Sequence, residues 1–273
     1  MPARSIELIR HAPRVRTLEV RRIARPRPRY QLITLTGDDL GDFQTPSPTD
    51  HVGIIPPASD GELRLPQVEE GRLRWPAARP PMREYTVRRF DPASGELDVR
   101  VLLHAGGGPV SGWAAAARPG DRIGVVGPLS SKVMPDGYPN YLLAGDLTAV
   151  PAIARWLSVL PEGASAQVLI AAGGEDDVIE LHCAQPISVR WLTEGGRPAA
   201  DQLPSALREL ELYAADTWAW VAGEAVAMRE VRRVLLDKPG LTSETVKVTG
   251  YWRRDRADFD YEAPLDADGP LMR

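Results

Sequence analysis

Between residues 14 and 126 apolar and polar positions tend to alternate, as where Arg16, Leu18, Val20 and Arg22 interleave with Val15, Thr17, Glu19 and Arg21, and again over 96–103. Successive side chains of a strand point to opposite faces, so a period of two predicts half-buried antiparallel strands. Turn clusters at Thr36-Gly37-Asp38-Asp39, Pro46-Ser47-Pro48 and Asp91-Pro92-Ala93-Ser94-Gly95 separate these stretches, at spacings that suit a small closed barrel. One helix is predicted in this half, over 111–118, stopped by Pro119-Gly120. The proline-rich stretch 53–81 has little periodicity and is predicted to be a long barrel loop or lid.

After Gly127 the pattern changes to short apolar runs that each feed a helical period. Strands are predicted at 141–144, 167–172, 187–192, 218–222 and 245–249, with helices at 149–160, 203–212 and 224–236. This alternation predicts a doubly wound, mostly parallel sheet. Ligands of such a sheet bind beyond the carboxyl ends of its strands, where Gly145-Asp146 and Gly223-Glu224 fall. The Gly-, Pro- and Ser-rich stretch 127–139 is the predicted boundary. It divides a β domain over 1–130 from an α/β domain over 138–254, followed by an acidic tail at 255–273.

Composition agrees with two ordinary globular domains in 273 residues, at 43% hydrophobic and 26% charged. The net charge of -4 argues against a nucleic-acid binder, yet it is unevenly spread: nine arginines lie in 4–29 and six acids in 255–268. Arg25-Pro26-Arg27-Pro28-Arg29 is predicted to be an extended, solvated loop, and the acidic tail to be disordered. Cys183 is the single cysteine, which excludes a disulfide framework, a cysteine-rich zinc site and a cysteine-ligated iron-sulfur cluster. His11, His51, His104 and His182 lack metal-site spacing, so no bound metal is predicted. No secretory apolar stretch begins the chain and no run is long enough to span a bilayer, so a cytoplasmic location without membrane insertion is expected.

The segment Met82-Arg83-Glu84-Tyr85-Thr86-Val87-Arg88-Arg89-Phe90 starts a predicted strand. Alternation puts Arg83, Tyr85 and Val87 on one face and Thr86 and Arg88 on the other, offering a cation, an aromatic plate and a hydroxyl within a few residues. A flavin needs these: a plate for its ring system, a polar neighbour at N5 and a charge for its pyrophosphate. Taken alone, the segment fits a solvated edge strand around a buried tyrosine equally well. Further on, the glycine-rich turn His104-Ala105-Gly106-Gly107-Gly108-Pro109-Val110-Ser111-Gly112-Trp113 opens the helix. Backbone amides at a helix N-terminus can receive a pyrophosphate, and Ser111 is placed to cap the helix. A bland turn is the competing reading for the glycines alone.

Together with Gly145-Asp146-x-Thr148-Ala149-x-Pro151-Ala152, Trp220-Val-Ala-Gly223-Glu224 and Gly250-Tyr251-Trp252-Arg253-Arg254, these motifs resemble the siderophore-interacting protein family, in order over about residues 14–254. The resemblance implies a six-stranded, flavin-binding antiparallel barrel and a ferredoxin-NADP reductase-like α/β domain. It also implies a cytoplasmic FAD enzyme that passes electrons from NADPH or NADH, or in some members a ferredoxin, to a ferric siderophore. By it, Tyr85 stacks on the isoalloxazine and Thr86, the expected catalytic residue, bonds near N5. Arg83, Arg88 and the turn Gly107, Gly108, Pro109, Val110 and Ser111 serve the FAD, with His104 nearby. Asp146, Thr148, Gly223 and Glu224 face the nicotinamide, although capping a helix would by itself explain Glu224. A monomer is expected.

Two departures stand out. Relatives usually carry an acid where Leu147 stands, and often a lysine where Gly53 follows Asp50-His51-Val52. Lys132, Arg253 and Arg254 remain as cations to attract an anionic siderophore complex. Just after the second parallel strand comes Gly173-Gly174-Glu175-Asp176-Asp177, whose acids oppose a 2'-phosphate and keep NADH or a protein donor open. The expected chemistry is hydride transfer from nicotinamide to flavin N5, then single-electron reduction of Fe(III) to Fe(II), which oxygen-donor chelators hold far less tightly. The competing functions are a flavin reductase with another acceptor, and a non-catalytic flavin- and siderophore-binding protein.

Overall fold

The computed structural model describes residues 5–256 apart from 105, 134, 136, 194–197, 213–215 and 255. The predicted acidic tail, Arg256 excepted, lies outside the described residues. The chain divides into two compact units, Met1–Pro135 and Asp136–Arg273.

The first unit contains β1 (Glu7–Arg10), β2 (Val15–Arg27), β3 (Tyr30–Thr36), β4 (His51–Ile55), β5 (Gln67–Glu69), β6 (Arg72–Arg74), β7 (Arg83–Asp91), β8 (Glu96–Leu102), α1 (Pro109–Ala116), β9 (Arg122–Val126) and β10 (Ser130–Val133). Six of the strands close into a barrel in the order β2-β3-β8-β7-β4-β9, every pair antiparallel. The alternation decides what fills it. Leu18, Val20, Ile33, Leu35, Val52, Ile54, Val87, Leu97, Val99 and Val101 turn inward, and Val110 and Ala114 of α1 pack against them. Each such buried side chain stabilises the fold by roughly 1.5–3 kcal/mol relative to exposure. The Gln31 amide donates to the Ala114 carbonyl at 2.5 Å, tying α1 to β3.

Several expectations change here. The Arg-Pro run is not a loop: Arg25, Pro26 and Arg27 are the exposed end of β2. A register shift between Ala24 and Arg27 spares Pro26 the ladder hydrogen bond it cannot make. The stretch 53–81 is not all loop, since Gly53–Ile55 belong to β4 and β5 pairs with β6 in a small hairpin. The boundary stretch holds β10, which pairs with β1, a strand that its weak alternation hid.

The N-terminal excess of arginine has a local use. Arg22 grips Glu96 through two bonds of 2.6 and 2.7 Å, with Arg21 at 3.0 Å and Arg89 at 3.2 Å. The Arg22 hydrogen bond holds the Glu96 carboxyl below its ordinary value of 4.5 against the opposing effect of burial, and Arg21 and Arg89 act in the same direction. A carboxylate held low stabilises the fold above its unfolded value, and that contribution is lost as pH falls through the lower folded value. The thermal midpoint of the wild type is therefore expected to fall faster than that of Glu96→Gln as pH drops below 4.5. Calorimetry over that range checks this, and parallel curves for the two proteins contradict it.

The second unit holds β11 (Asn140–Asp146), α2 (Val150–Ser158), β12 (Ser165–Ala171), β13 (Ile187–Leu192), α3 (Ala199–Glu209), β14 (Thr217–Glu224), α4 (Ala225–Leu236) and β15 (Val246–Trp252). The strands form one parallel sheet in the order β13-β12-β11-β14-β15. Leu142, Ala144, Ala219 and Val221 pack with Leu203 and Leu207 of α3 and Met228 and Val231 of α4. Tyr141, one residue out of phase with Leu142, meets the Trp156 ring of α2 at 5.9 Å. The sheet is thus covered on both faces. Between β12 and β13 stands only the single 3-10 turn Glu175–Asp177, where the doubly wound pattern leads one to expect an α-helix. No helix among the described residues is long and apolar enough to cross a membrane.

Candidate active site

β7 and β8 run antiparallel with Val87 opposite Val99, so the start of β7 and the end of β8 lie at the same end of the barrel. That register brings Arg83, Tyr85 and Thr86 to the end from which His104 and the glycine turn lead into α1. Tyr85 pairs with Val52 and packs its half-buried ring against the barrel core. Burial pushes its phenol up to about 12, with Arg83 pulling the other way, so the hydroxyl is neutral at any working pH. Thr86 pairs with His51 and is 8% exposed. Arg83 donates to the Met82 carbonyl at 2.8 Å. Arg88 is half-buried at a register shift in β7.

The turn is built for close approach. Gly107 takes a left-handed φ of 44° and donates to the His104 carbonyl at 3.1 Å, and His104 is exposed. Gly108 is the N-cap residue of α1 and Pro109 its first residue. Ser111 therefore does not cap the helix as expected. It sits inside the first turn, and its hydroxyl donates instead to the Leu102 carbonyl at 3.4 Å. No side chain caps α1, and the amides of Val110 and Ser111 have no carbonyl one helical turn before them within the helix. These donors sit where the helix dipole is positive, an arrangement suited to phosphate oxygens.

In the second unit the predicted nicotinamide contacts meet at the carboxyl ends of β11 and β14. Asp146 accepts four hydrogen bonds: from the Thr148 amide at 2.9 Å and hydroxyl at 2.5 Å through Oδ1, and from the Glu224 amide at 3.0 Å and the Trp252 indole at 2.8 Å through Oδ2. Burial pushes its carboxyl above the ordinary range, while Thr148, Trp252 and the Glu224 amide pull it back. Gly223 must be glycine, because a Cβ there would lie 2.8 Å from Asp146 Oδ2. Glu224 caps α4 by accepting from the Ala227 amide at 2.9 Å, and its other oxygen accepts from the Arg254 amide at 3.1 Å. Both carboxylates thus hold the strand ends in place. The exposed surface beside them comes from Thr148, half-buried, and from the Trp252 indole, 37% exposed, to which the sequence reading assigned no role.

Residues 19–132 match the profile of the siderophore-interacting FAD-binding domain, and residues 138–255 that of the siderophore-interacting protein. The chain belongs to the siderophore-interacting protein family. Among relatives, the ferric vibriobactin reductase of Vibrio cholerae is 30% identical over 84% of this chain and 86% of its own length. An NADPH-dependent ferric-chelate reductase of Escherichia coli is 30% identical over 89% of this chain and 95% of its own. A siderophore utilization protein from T. fusca superposes with a TM-score of 0.89 at 33% identity, covering 95% of this chain and all of the other. An NADH-dependent reduced ferredoxin-NADP oxidoreductase, 15% identical over 85% of this chain and 75% of its own, shares the fold with a TM-score of 0.59.

Against the siderophore-interacting protein pattern, the departures acquire reasons. A Cβ at Gly53 would lie 2.4 Å from Met82 Sδ, so a lysine here needs Met82 to move. Leu147 is buried directly after Asp146. Of the predicted substrate cations, Lys132 is exposed on β10 of the first unit, while Arg253 and Arg254 follow β15 in the second. The Arg254 side chain lies 3.5 Å from Asp201. Asp177 is buried and accepts from the Gly173 amide at 2.9 Å, and Glu175 accepts from the Thr193 hydroxyl at 2.7 Å. Sequence reasoning missed one residue altogether. Arg100 occupies a polar position between Val99 and Val101, the ordinary pattern of a solvated strand face, yet it is half-buried beside Arg88.

Proposed function

We propose that this chain is a cytoplasmic, monomeric ferric-siderophore reductase that draws electrons from NADPH or NADH, or from a ferredoxin, and uses FAD as its bound carrier. The observation that carries the reading is the set of donors gathered at one end of the barrel. The amides of Val110 and Ser111 at the uncapped start of α1 stand at the end of the barrel where β7 begins, with Tyr85 and Thr86 in its first half. Bound FAD supplies a carrier that accepts an electron pair from a nicotinamide and releases electrons singly, the change that reduction of Fe(III) requires.

The chain's own residues have positioning and electrostatic tasks. Tyr85 offers a neutral ring face against which a flat ring system rests, and the Thr86 hydroxyl stands one residue on, on the opposite face of the strand. Arg83, with the first turn of α1, neutralises phosphates. Asp146 and Glu224 hold the Thr148 turn and the Arg253-Arg254 segment in fixed geometry. Lys132, Arg253 and Arg254 raise the local concentration of an anionic ferric chelate. Reduction loosens the grip of oxygen-donor ligands on iron, so Fe(II) leaves without any acid-base group from the protein.

The purified protein is expected to take up FAD and to lose its yellow colour when NADH or NADPH is added without oxygen. A ferric catecholate or hydroxamate siderophore should then restore the colour and deliver Fe(II) to a ferrous-specific chelator. A protein that stays colourless with FAD, or one that is bleached and reoxidised by quinones but not by ferric siderophores, contradicts the assignment.

A further inference from the structure

We infer that Arg88 and Arg100 form a second phosphate-gripping element of the barrel, which holds a phosphoryl group of the flavin dinucleotide in addition to the first turn of α1. The inference rests on the FAD reading above and concerns two residues on neighbouring strands, one of which no motif points to.

Three guanidinium donors in this pair, Nε of Arg88 and both Nε and Nη1 of Arg100, are buried without a hydrogen-bond partner among the described residues. Asp98, the carboxylate that acts on Arg88, is already engaged: Oδ1 accepts from the Thr34 hydroxyl at 2.6 Å and Oδ2 from Arg89 Nε at 2.9 Å. The Arg100 guanidinium lies 5.4 Å from the centre of the Tyr30 ring. Burial lowers both arginines from their ordinary value, and the charge of Arg88 lowers Arg100 further. Two cations that repel each other, with buried donors unused, are an unfavourable arrangement until an anion satisfies both. The planar fork of arginine matches phosphate oxygens, and two forks side by side can grip both non-bridging oxygens of a diester phosphate.

Placement along the strand points to the same ligand as the helix. Arg100 pairs with Leu32, and Leu102, two residues on, pairs with Tyr30 and takes the Ser111 hydroxyl on its carbonyl. The first turn of α1 is thus tethered about 7 Å along β8 from Arg100, a separation that a dinucleotide spans with ease. Arg21 and Arg22, by contrast, end on the carboxylate of Glu96.

The test compares flavins with and without phosphate, by fluorescence titration of the apoprotein, in the wild type, Arg100→Gln and Arg100→Lys. FAD affinity is expected to fall on the order of tenfold in Arg100→Gln and by less in Arg100→Lys, while riboflavin affinity stays within about twofold. Removing the buried repulsion should leave the apo thermal midpoint of Arg100→Gln at or above that of the wild type. Inorganic phosphate should raise the midpoint of the wild type and not that of the variant. Equal losses for FAD and riboflavin, or a lowered apo midpoint, show a structural arginine and overturn the inference. Unchanged FAD affinity with phosphate protection lost assigns the pair to free phosphate and overturns the flavin arm. A wild type that binds no flavin sinks the FAD reading and this inference together, whereas normal FAD binding in Arg100→Gln sinks only the inference.

Discussion

Replacing Asp146 with alanine is expected to destabilise the second unit by about 4 kcal/mol, among the largest effects of any single substitution in the chain. Its carboxylate accepts four hydrogen bonds from three residues, Thr148, Glu224 and Trp252, and it is buried. Alanine strands the buried Glu224 amide at a cost of roughly 1–3 kcal/mol, and it also removes the acceptor that ties down the part-buried Trp252 indole and the Thr148 turn. Asparagine should recover only part of the loss, because its NH2 group cannot accept and must face donors. Urea unfolding followed by tryptophan fluorescence reads the effect, since Trp156, Trp191, Trp218, Trp220 and Trp252 all belong to this unit. A loss below about 1 kcal/mol, the worth of one ordinary hydrogen bond, shows that the network is not cooperative.

Tyr85→Ala is expected to weaken FAD binding by about 2 kcal/mol, roughly 30-fold in Kd, while Tyr85→Phe stays within about threefold. On the proposed reading the ring face supplies the stacking energy, and burial keeps the phenol neutral up to about 12, so the hydroxyl contributes no charge to the interaction. The same neutrality makes the affinity ratio of wild type to Tyr85→Phe independent of pH across the neutral range. Fluorescence titration of the apoproteins with FAD measures both variants. If phenylalanine weakens binding as much as alanine, the hydroxyl rather than the plate is the working part of Tyr85, and the stacking role falls.

Much of the first unit was legible because its strands are half-buried. Leu18, Val20, Ile33, Leu35, Val99 and Val101 alternate with polar partners, and the inward set is the barrel core. The glycine turn before α1 was legible for a similar reason, since Gly107 and Pro109 punctuate any fold in the same way. Where local signals conflict with long-range pairing, pairing won. Pro26 reads as a loop residue, yet β3 recruits Arg25–Arg27 as strand through a register shift. Ser111 reads as a cap, but Gly108 and Pro109 start the helix earlier and the serine turns to Leu102 instead. Counting charges along the chain is equally blind to context: nine N-terminal arginines show only as an uneven charge, while Arg21 and Arg22 converge on the single carboxylate of Glu96.

Local sequence was enough to specify the two-part architecture, the alternation of strand and helix after Gly127, and the motifs at Tyr85-Thr86 and Gly107–Ser111, because side-chain periodicity and turn chemistry act over a few residues. The tasks of the charged groups came from the folded arrangement instead. Asp146 meets Glu224 and Trp252 across separations of 78 and 106 residues, and Arg88 and Arg100, on neighbouring strands, are both buried with donors left unused among the described residues. Whether a carboxylate or a guanidinium is a ligand, a clamp or a solvated surface group depends on burial and on partners supplied by distant parts of the chain, and no local pattern encodes either.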